Sequence, residues 1–169
     1  MKSKLPRVTE ILANAGLIDT RWFKPEHAER GTLVHAACQY DDWGETDQVP
    51  LAPELAGYLE AWRRFQRENA WECEAIEQPV STAEYTGTLD RAGRLGPWRA
   101  ILDIKTGAVG SWVRYQLVAY ANAYQPGVMF RRVAVRLSAD GHYQIKEFSV
   151  AEFIRDRQEW LRMVRQYGR

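Results

Sequence analysis

The hydrophobic period of this chain changes near residue 70, and that change limits the folds open to it. Upstream, Leu55, Leu59, Trp62 and Phe65 recur at the spacing of one helix face within a segment running from Pro53 to Asn69. Downstream, Trp98, Ala100, Leu102 and Ile104 occupy every second position, the spacing of a pleated strand. A chain carrying both periods must lay helices against a sheet.

The remaining segments fill in that outline. Thr9 suits the N-cap of a short helix reaching Ala15, with Gly16 as its stop. Pro25 suits the first turn of a second helix running toward Tyr40, and Gly31 is a weak point inside it that close backbone approach to another element would explain. Asp41 to Gln48 reads as a solvated acidic loop. Trp71 to Val80 reads as a strand, and Tyr85–Ala92 and Trp98–Lys105 as an antiparallel pair turning at Leu95-Gly96-Pro97. Gly110 or Ser111 can cap a helix carrying Gln116 and Tyr120 that ends before Pro126. Val133, Val135 and Leu137 alternate with Arg132, Ala134 and Arg136, which predicts a strand with a partly basic second face, turned by Ala139-Asp140-Gly141 into Tyr143–Phe148. The last helix, Val150 to Tyr167, is expected to bury Phe153, Ile154, Leu161 and Val164 and to expose Arg155, Arg162 and Arg165. The tryptophans, including Trp22, Trp43, Trp98 and Trp112, are expected mostly in the core. This order predicts an α/β fold, a mixed central β-sheet flanked by helices.

Asp103 and Lys105 share the strand face opposite the apolar row. Antiparallel pairing brings Asp90 opposite or diagonal to Asp103, at the roughly 5 to 8 Å of cross-strand neighbours. Two carboxylates and a backbone carbonyl such as that of Ile104 are the hard oxygens that Mg²⁺ and Mn²⁺ prefer. Such a cation neutralises a phosphate and lowers the pKa of a bound water, while Lys105 adds positive charge and orients or helps deprotonate that water. The plainer alternative for Asp103 and Lys105 is an ordinary ion pair at a strand edge.

These residues resemble the PD-(D/E)XK nucleases, specifically the RecB-type exonuclease branch. Arg30-Gly31-Thr32-Leu33-Val34-His35 is similar to that branch's helical signature, and Glu77-Gln78-Pro79-Val80 to its glutamate-bearing strand. Gln116-Leu117-Val118-Ala119-Tyr120 is similar to its glutamine-and-tyrosine helix, and Val8-Thr9-Glu10-Ile11-Leu12 to the start of many members. The matches fall in the family's order. The resemblance implies a restriction-endonuclease-like core and hydrolysis that leaves a 5′-phosphate and a 3′-hydroxyl. It implies Asp90 and Asp103 as metal ligands, Lys105 as catalytic lysine, His35 as a further ligand and Glu77 as a helper at a second metal or a water. It further implies that Gln116 and Tyr120, with Arg30 and Thr32, brace the site or touch the substrate. Some relatives hold an iron–sulfur cluster with four cysteines; Cys38 and Cys73 are too few, so the expected cofactor is Mg²⁺ or Mn²⁺ with no iron–sulfur cluster. Without the resemblance, His35 reads as a packing histidine, Glu77 as a solvated strand residue, Tyr120 as core and Gln116 as a backbone hydrogen bonder.

A chain of 169 residues, 46% hydrophobic, is expected to form a single domain, 1–169, with a helical N-terminal portion to about residue 69 and a catalytic core from about residue 70. No apolar run approaches a membrane span, Met1 to Pro6 lacks a signal-peptide stretch, and the two cysteines have no metal-type spacing, which points to the cytoplasm; the resemblance implies that of a bacterial or phage-infected cell. The cysteines read as buried spectators. Net charge is +1 but uneven: residues 41–90 carry 12 acids against 3 bases, and residues 108–169 carry 10 bases against 5 acids. That distribution suits an acidic metal pocket beside a basic phosphate-binding surface that includes Arg162 and Arg165. Charge that merely alternates by segment is the plainer reading. Trp112 and Tyr115 could stack on the bases of a single strand. The expected function is a metal-dependent deoxyribonuclease, an exonuclease of recombination, repair or phage DNA processing. DNA is its expected partner, with a homo-oligomer or a recombination or repair protein beside it and no membrane. An inactive DNA-binding accessory is disfavoured by the intact Asp90, Asp103 and Lys105. A nucleotide phosphohydrolase is disfavoured by the lack of a P-loop.

Overall fold

The structure, a computed structural model, describes residues 5–18, 24–48 and 51–167. Helices α1 (Val8–Asn14), α2 (Pro25–Asp42) and α3 (Ala56–Glu68) precede strands β1 (Trp71–Ser81), β2 (Thr86–Leu95) and β3 (Trp98–Lys105). Then follow α4 (Val113–Tyr124), β4 (Arg131–Leu137), β5 (Tyr143–Phe148) and α5 (Phe153–Gln166). The strands form one sheet in the order β1-β2-β3-β4-β5, and β3 and β4 are its parallel pair. That pair needs a crossover, which α4 supplies, whereas the antiparallel neighbours are joined by short turns. Gly96 and Pro97 make the β2–β3 turn, Gly96 at φ 57°, and set Leu95 opposite Trp98. The α/β fold with a mixed sheet flanked by helices is therefore the one the periodicities predict.

Two apolar layers cover the sheet. Ile101 and Ala134 join Leu117, Val118 and Ala121 of α4, Ile11 of α1 and Trp160 of α5 on one side. Ala100, Leu102, Ile104, Val133 and Val135 meet Val34 of α2 and Trp62 and Phe65 of α3 on the other. Strand β3 is apolar on both faces because it is covered on both, which makes buried Asp103 on it conspicuous.

The outer hairpin departs from this regularity where it matters most. Ala75 and Val80 of β1, five apart, lie in the same layer, as do Leu89 and Ala92 of β2, three apart. A regular pleat forbids odd spacings on one face. Both strands therefore roll over between those positions, and the stretch holds Glu77 and Asp90. Glu77 has φ 44°, in the left-handed region, and the register skips the pair it would form with Asp90.

Several local expectations are corrected. The α1 cap is Arg7, not Thr9, with the Arg7 backbone N–H donating to Glu10 Oε2 at 2.7 Å. Helix α4 starts after Trp112 rather than at Gly110 or Ser111. Asp41 and Asp42 are not solvated loop: they close α2, and the Asp42 side chain is 1% exposed. Arg132 does not lie on a basic outer face. It is buried on Asp156 of α5 at 2.7 Å, which turns that helix so that Asp156, Trp160 and Met163 face inward and Ile154 outward. Trp43 and Trp98 are exposed, and Trp22 lies outside the described residues. Among the described residues Gly31 has no close backbone contact: an added Cβ would meet only Thr106 Oγ1, at 3.9 Å. Among the cysteines Cys38 is buried and Cys73 half-buried, both free.

Candidate active site

Three elements bring their side chains together at the rolled-over part of the hairpin. Helix α2 supplies His35, β1 supplies Glu77 and β2 supplies Asp90, with one potential ligand atom from each within 4.8 Å of the others. His35 Nδ1 is 3.3 Å from Glu77 Oε1, and its Nε2 is 2.9 Å from the Ile104 carbonyl and 3.7 Å from Asp90 Oδ2. Asp90 Oδ2 in turn accepts the Ile104 backbone N–H at 2.8 Å. Continuing the β2–β3 register by one step places Asp90 opposite Asp103, as the hairpin reading expects.

Asp103 is engaged differently. It is 2% exposed, and Lys105 Nζ lies 2.8 Å from its Oδ2 and 3.0 Å from its Oδ1, with a directed hydrogen bond to Oδ1. The lysine also stands 5.4 Å from the centre of the Trp112 ring. Ligand atoms close enough to share one ion come from His35, Glu77 and Asp90, beside an Asp103–Lys105 pair.

The electrostatics follow from crowding acids around a buried edge. Burial works against a charge on His35, but Asp90, Glu77 and the Ile104 carbonyl outweigh it and raise its pKa to about 9. Burial, with the neighbouring charges of Asp103 and Glu77, pushes Asp90 up to about 6 against the pull of His35 and Lys105. Burial also opposes the charge of Glu77, yet His35 and Arg91 hold it below the usual carboxylate range. Lys105 stays above its ordinary value, burial notwithstanding, because Asp103 and Asp90 face it.

Gln116 and Tyr120 lie buried on α4, and Gln116 Nε2 donates to the Tyr120 hydroxyl at 3.2 Å. Gln116 Oε1 is buried with no hydrogen-bond partner among the described residues. Burial raises the Tyr120 hydroxyl, and the Asp90 and Asp103 charges raise it further. Its ring rests on Gly87 of β2, where a Cβ would come within 2.6 Å of Tyr120 Cε1.

Two clefts flank the first turns of α2 and share Gly31 and His35. One, of about 500 Å³, runs past Lys24, His27, Arg30, Lys105 and Trp112. The other, of about 540 Å³, runs past Thr32, Gln39 and Glu77. Among the described residues Arg30 Nε has no partner, though it is buried there, while Thr32 bonds back to the Ala28 carbonyl at 3.1 Å. Arg162 and Arg165 are not part of this gathering. Both are exposed on α5, which packs chiefly on α4, and Arg162 is held by Glu159 and Gln166. Within the C-terminal part, ion pairs such as Arg131–Glu147, Arg114–Asp156 and Arg132–Asp156 join bases to acids of the same stretch, so its basic excess remains.

Arg91 and Asp42 complete the surroundings of the centre, and no motif of the sequence marks them. Arg91 is fully buried, with Nε 2.6 Å from Asp42 Oδ2 and Nη1 2.9 Å from Glu77 Oε1. An arginine on the β2 face away from Asp90, in a strand destined for the middle of a sheet, was the available signal.

No protein-family model and no protein of curated function matches the sequence. Among solved structures, the chain is similar to a candidate exonuclease from Eubacterium rectale, at 14% identity and a TM-score of 0.57, over 94% of this chain and 70% of that one. The structure of SSO0001 covers 92% of this chain and 84% of its own at 15% identity, with a TM-score of 0.34, too low to indicate a shared fold. The likeness to the first is one of fold, an α/β core with a sheet flanked by helices.

Proposed function

We propose that this protein is a divalent-metal-dependent deoxyribonuclease, an exonuclease of the RecB-type branch of the PD-(D/E)XK nucleases, working in recombination, repair or phage DNA processing. The observation that carries this reading is the convergence of His35, Glu77 and Asp90 next to the buried Asp103–Lys105 pair. The donor set fits Mg²⁺ or Mn²⁺: two carboxylates and an imidazole, with the Ile104 carbonyl and a third carboxylate, that of Asp103, beside them. When bound, the cation would supply charge neutralisation at the phosphate and a water of lowered pKa.

The chain's own residues would do the rest. Lys105, oriented by Asp103, would hold its ammonium beside the scissile phosphate and aim the attacking water. Gln116, with a buried oxygen unpartnered and its amide on Tyr120, would accept a hydrogen bond from the substrate or brace the helix facing it. Arg30 and Thr32 stand on the two clefts through which a strand would reach the centre. Arg162 and Arg165 would contribute at longer range to attraction for the DNA backbone. The whole of 1–169 would act as one nuclease domain, and its setting would be the cytoplasm of a bacterial or phage-infected cell.

The test is cleavage of end-labelled DNA in Mg²⁺ or Mn²⁺, with nucleotides assayed alongside. Cleavage that requires the metal and disappears in Asp90→Ala and Asp103→Ala is the expected result. Cleavage persisting in both variants, or nucleotide hydrolysis without DNA cleavage, would sink the reading.

A further inference from the structure

Glu77 occupies an unfavourable place for a ligand. Its backbone is left-handed, a strained conformation for a residue other than glycine, and its side chain is 27% exposed. A carboxylate so placed would turn to water unless something held it. Arg91 does so from beneath, donating from Nη1 to Glu77 Oε1 at 2.9 Å and to the Asp90 carbonyl at 2.7 Å. Its Nε is anchored on Asp42 Oδ2 at 2.6 Å, and Asp42 Oδ1 accepts the Trp62 indole N–H at 2.9 Å. The side chains of Arg91 and Asp42 are 0% and 1% exposed, so neither can reach a substrate or an ion in the clefts. The guanidinium fork thus grips both cluster-bearing strands at the point where they roll over.

We propose that Arg91, anchored by Asp42, is a positioning residue that fixes Glu77 for metal binding without touching metal or DNA. The inference rests on the metal centre proposed above. One oxygen of Glu77 is committed to Arg91 and His35, which leaves the carboxylate oriented and its other oxygen available. The anchor is a matched pair of buried charges, so Arg91 adds order at Glu77 while Asp42 offsets its charge. A lysine would carry the same charge but could not reach Asp42, Glu77 and the Asp90 carbonyl as a planar fork does.

The test is Mn²⁺ affinity, measured by electron paramagnetic resonance and calorimetry without DNA. Removing one partner alone would strand a buried charge and threaten folding, so the main variant is the neutral pair Arg91→Met/Asp42→Asn, compared with Arg91→Lys. Each is made in the wild-type chain and in Glu77→Gln, with circular dichroism as the fold control. We expect the pair to weaken Mn²⁺ binding by about 10-fold or more, the scale of residues that orient metal ligands. Arg91→Lys should also weaken it, and in Glu77→Gln the effect of the pair should shrink to within about 2-fold because the route to the ion is already cut. An undiminished penalty in Glu77→Gln, or wild-type affinity in either Arg91 variant, overturns the inference while leaving the metal centre standing. A wild-type chain that fails to bind Mn²⁺ overturns both, and one that binds Mn²⁺ with the expected coupling but cleaves no DNA sinks only the nuclease reading.

Discussion

His35 meets an oxygen with each ring nitrogen, and only the doubly protonated ring can donate to both. A histidine raised from 6.5 to about 9 binds its proton more tightly folded than unfolded. Its contribution to stability is complete below about 6.5 and is lost as pH rises through about 9. Asp90, raised from 3.8 to about 6, acts in the same direction at lower pH, losing its contribution between those values. The metal-stripped protein is therefore expected to lose stability on going from pH 6 to 9.5, by on the order of 2 to 3 kcal/mol from His35. Urea denaturation in chelator at both pH values checks this, and a flat or rising profile contradicts it. Mn²⁺ must displace that proton, so its apparent affinity should climb with pH over the same window. At Lys105 the expected outcome differs: Lys105→Ala should retain Mn²⁺ binding and lose roughly 10² to 10⁴ in single-turnover cleavage rate. Asp103 and Lys105 were legible because a strand's two-residue repeat sets them on one face, and Asp90 because the hairpin pairs it with Asp103, whereas Glu77 rested on the family resemblance alone. Arg91 was not, since its importance arises from Asp42, 49 residues away in sequence.

At the scale of elements, the order of helices and strands was readable throughout, because each carries its own period. What failed was local. The last helix turns on a buried charge, Asp156 against Arg132 and Arg114, and apolar counting assigns no buried place to an acid. Asp156→Ala would leave the fully buried Arg132 guanidinium uncompensated and should cost about 3 to 5 kcal/mol in thermal or chemical unfolding. A loss below about 1 kcal/mol would mean that the pair adds little. Gly31 sets up the opposite experiment. Inside α2 a glycine is less favourable than alanine by roughly 0.8 to 1 kcal/mol, and a Cβ fits there. Gly31→Ala should thus raise the melting temperature while narrowing both clefts and slowing cleavage. Faster or unchanged cleavage would place the substrate elsewhere.

For the whole molecule, the basic excess of residues 108–169 survives its ion pairs, whose acids lie in the same stretch, but Arg162 and Arg165 sit exposed on α5, which packs chiefly on α4. The side chains beside the centre, Lys24 and Arg30, come from the helical N-terminal portion. Lys24→Ala/Arg30→Ala is therefore expected to lower DNA affinity and reduce the salt slope by about 1 to 2, more than Arg162→Ala/Arg165→Ala does. Equal or reversed effects in a salt titration would put the DNA path over α5. Among the described residues no helix is long and apolar enough to cross a membrane. The centre draws on residue 35, residue 77 and residues 90 to 105, so the sheet must close against α2 before its parts can meet. A chain still emerging from the ribosome, or one clipped between its third helix and first strand and then pulled apart, would hold no working centre. Any chemistry at this centre would therefore begin only once folding is complete.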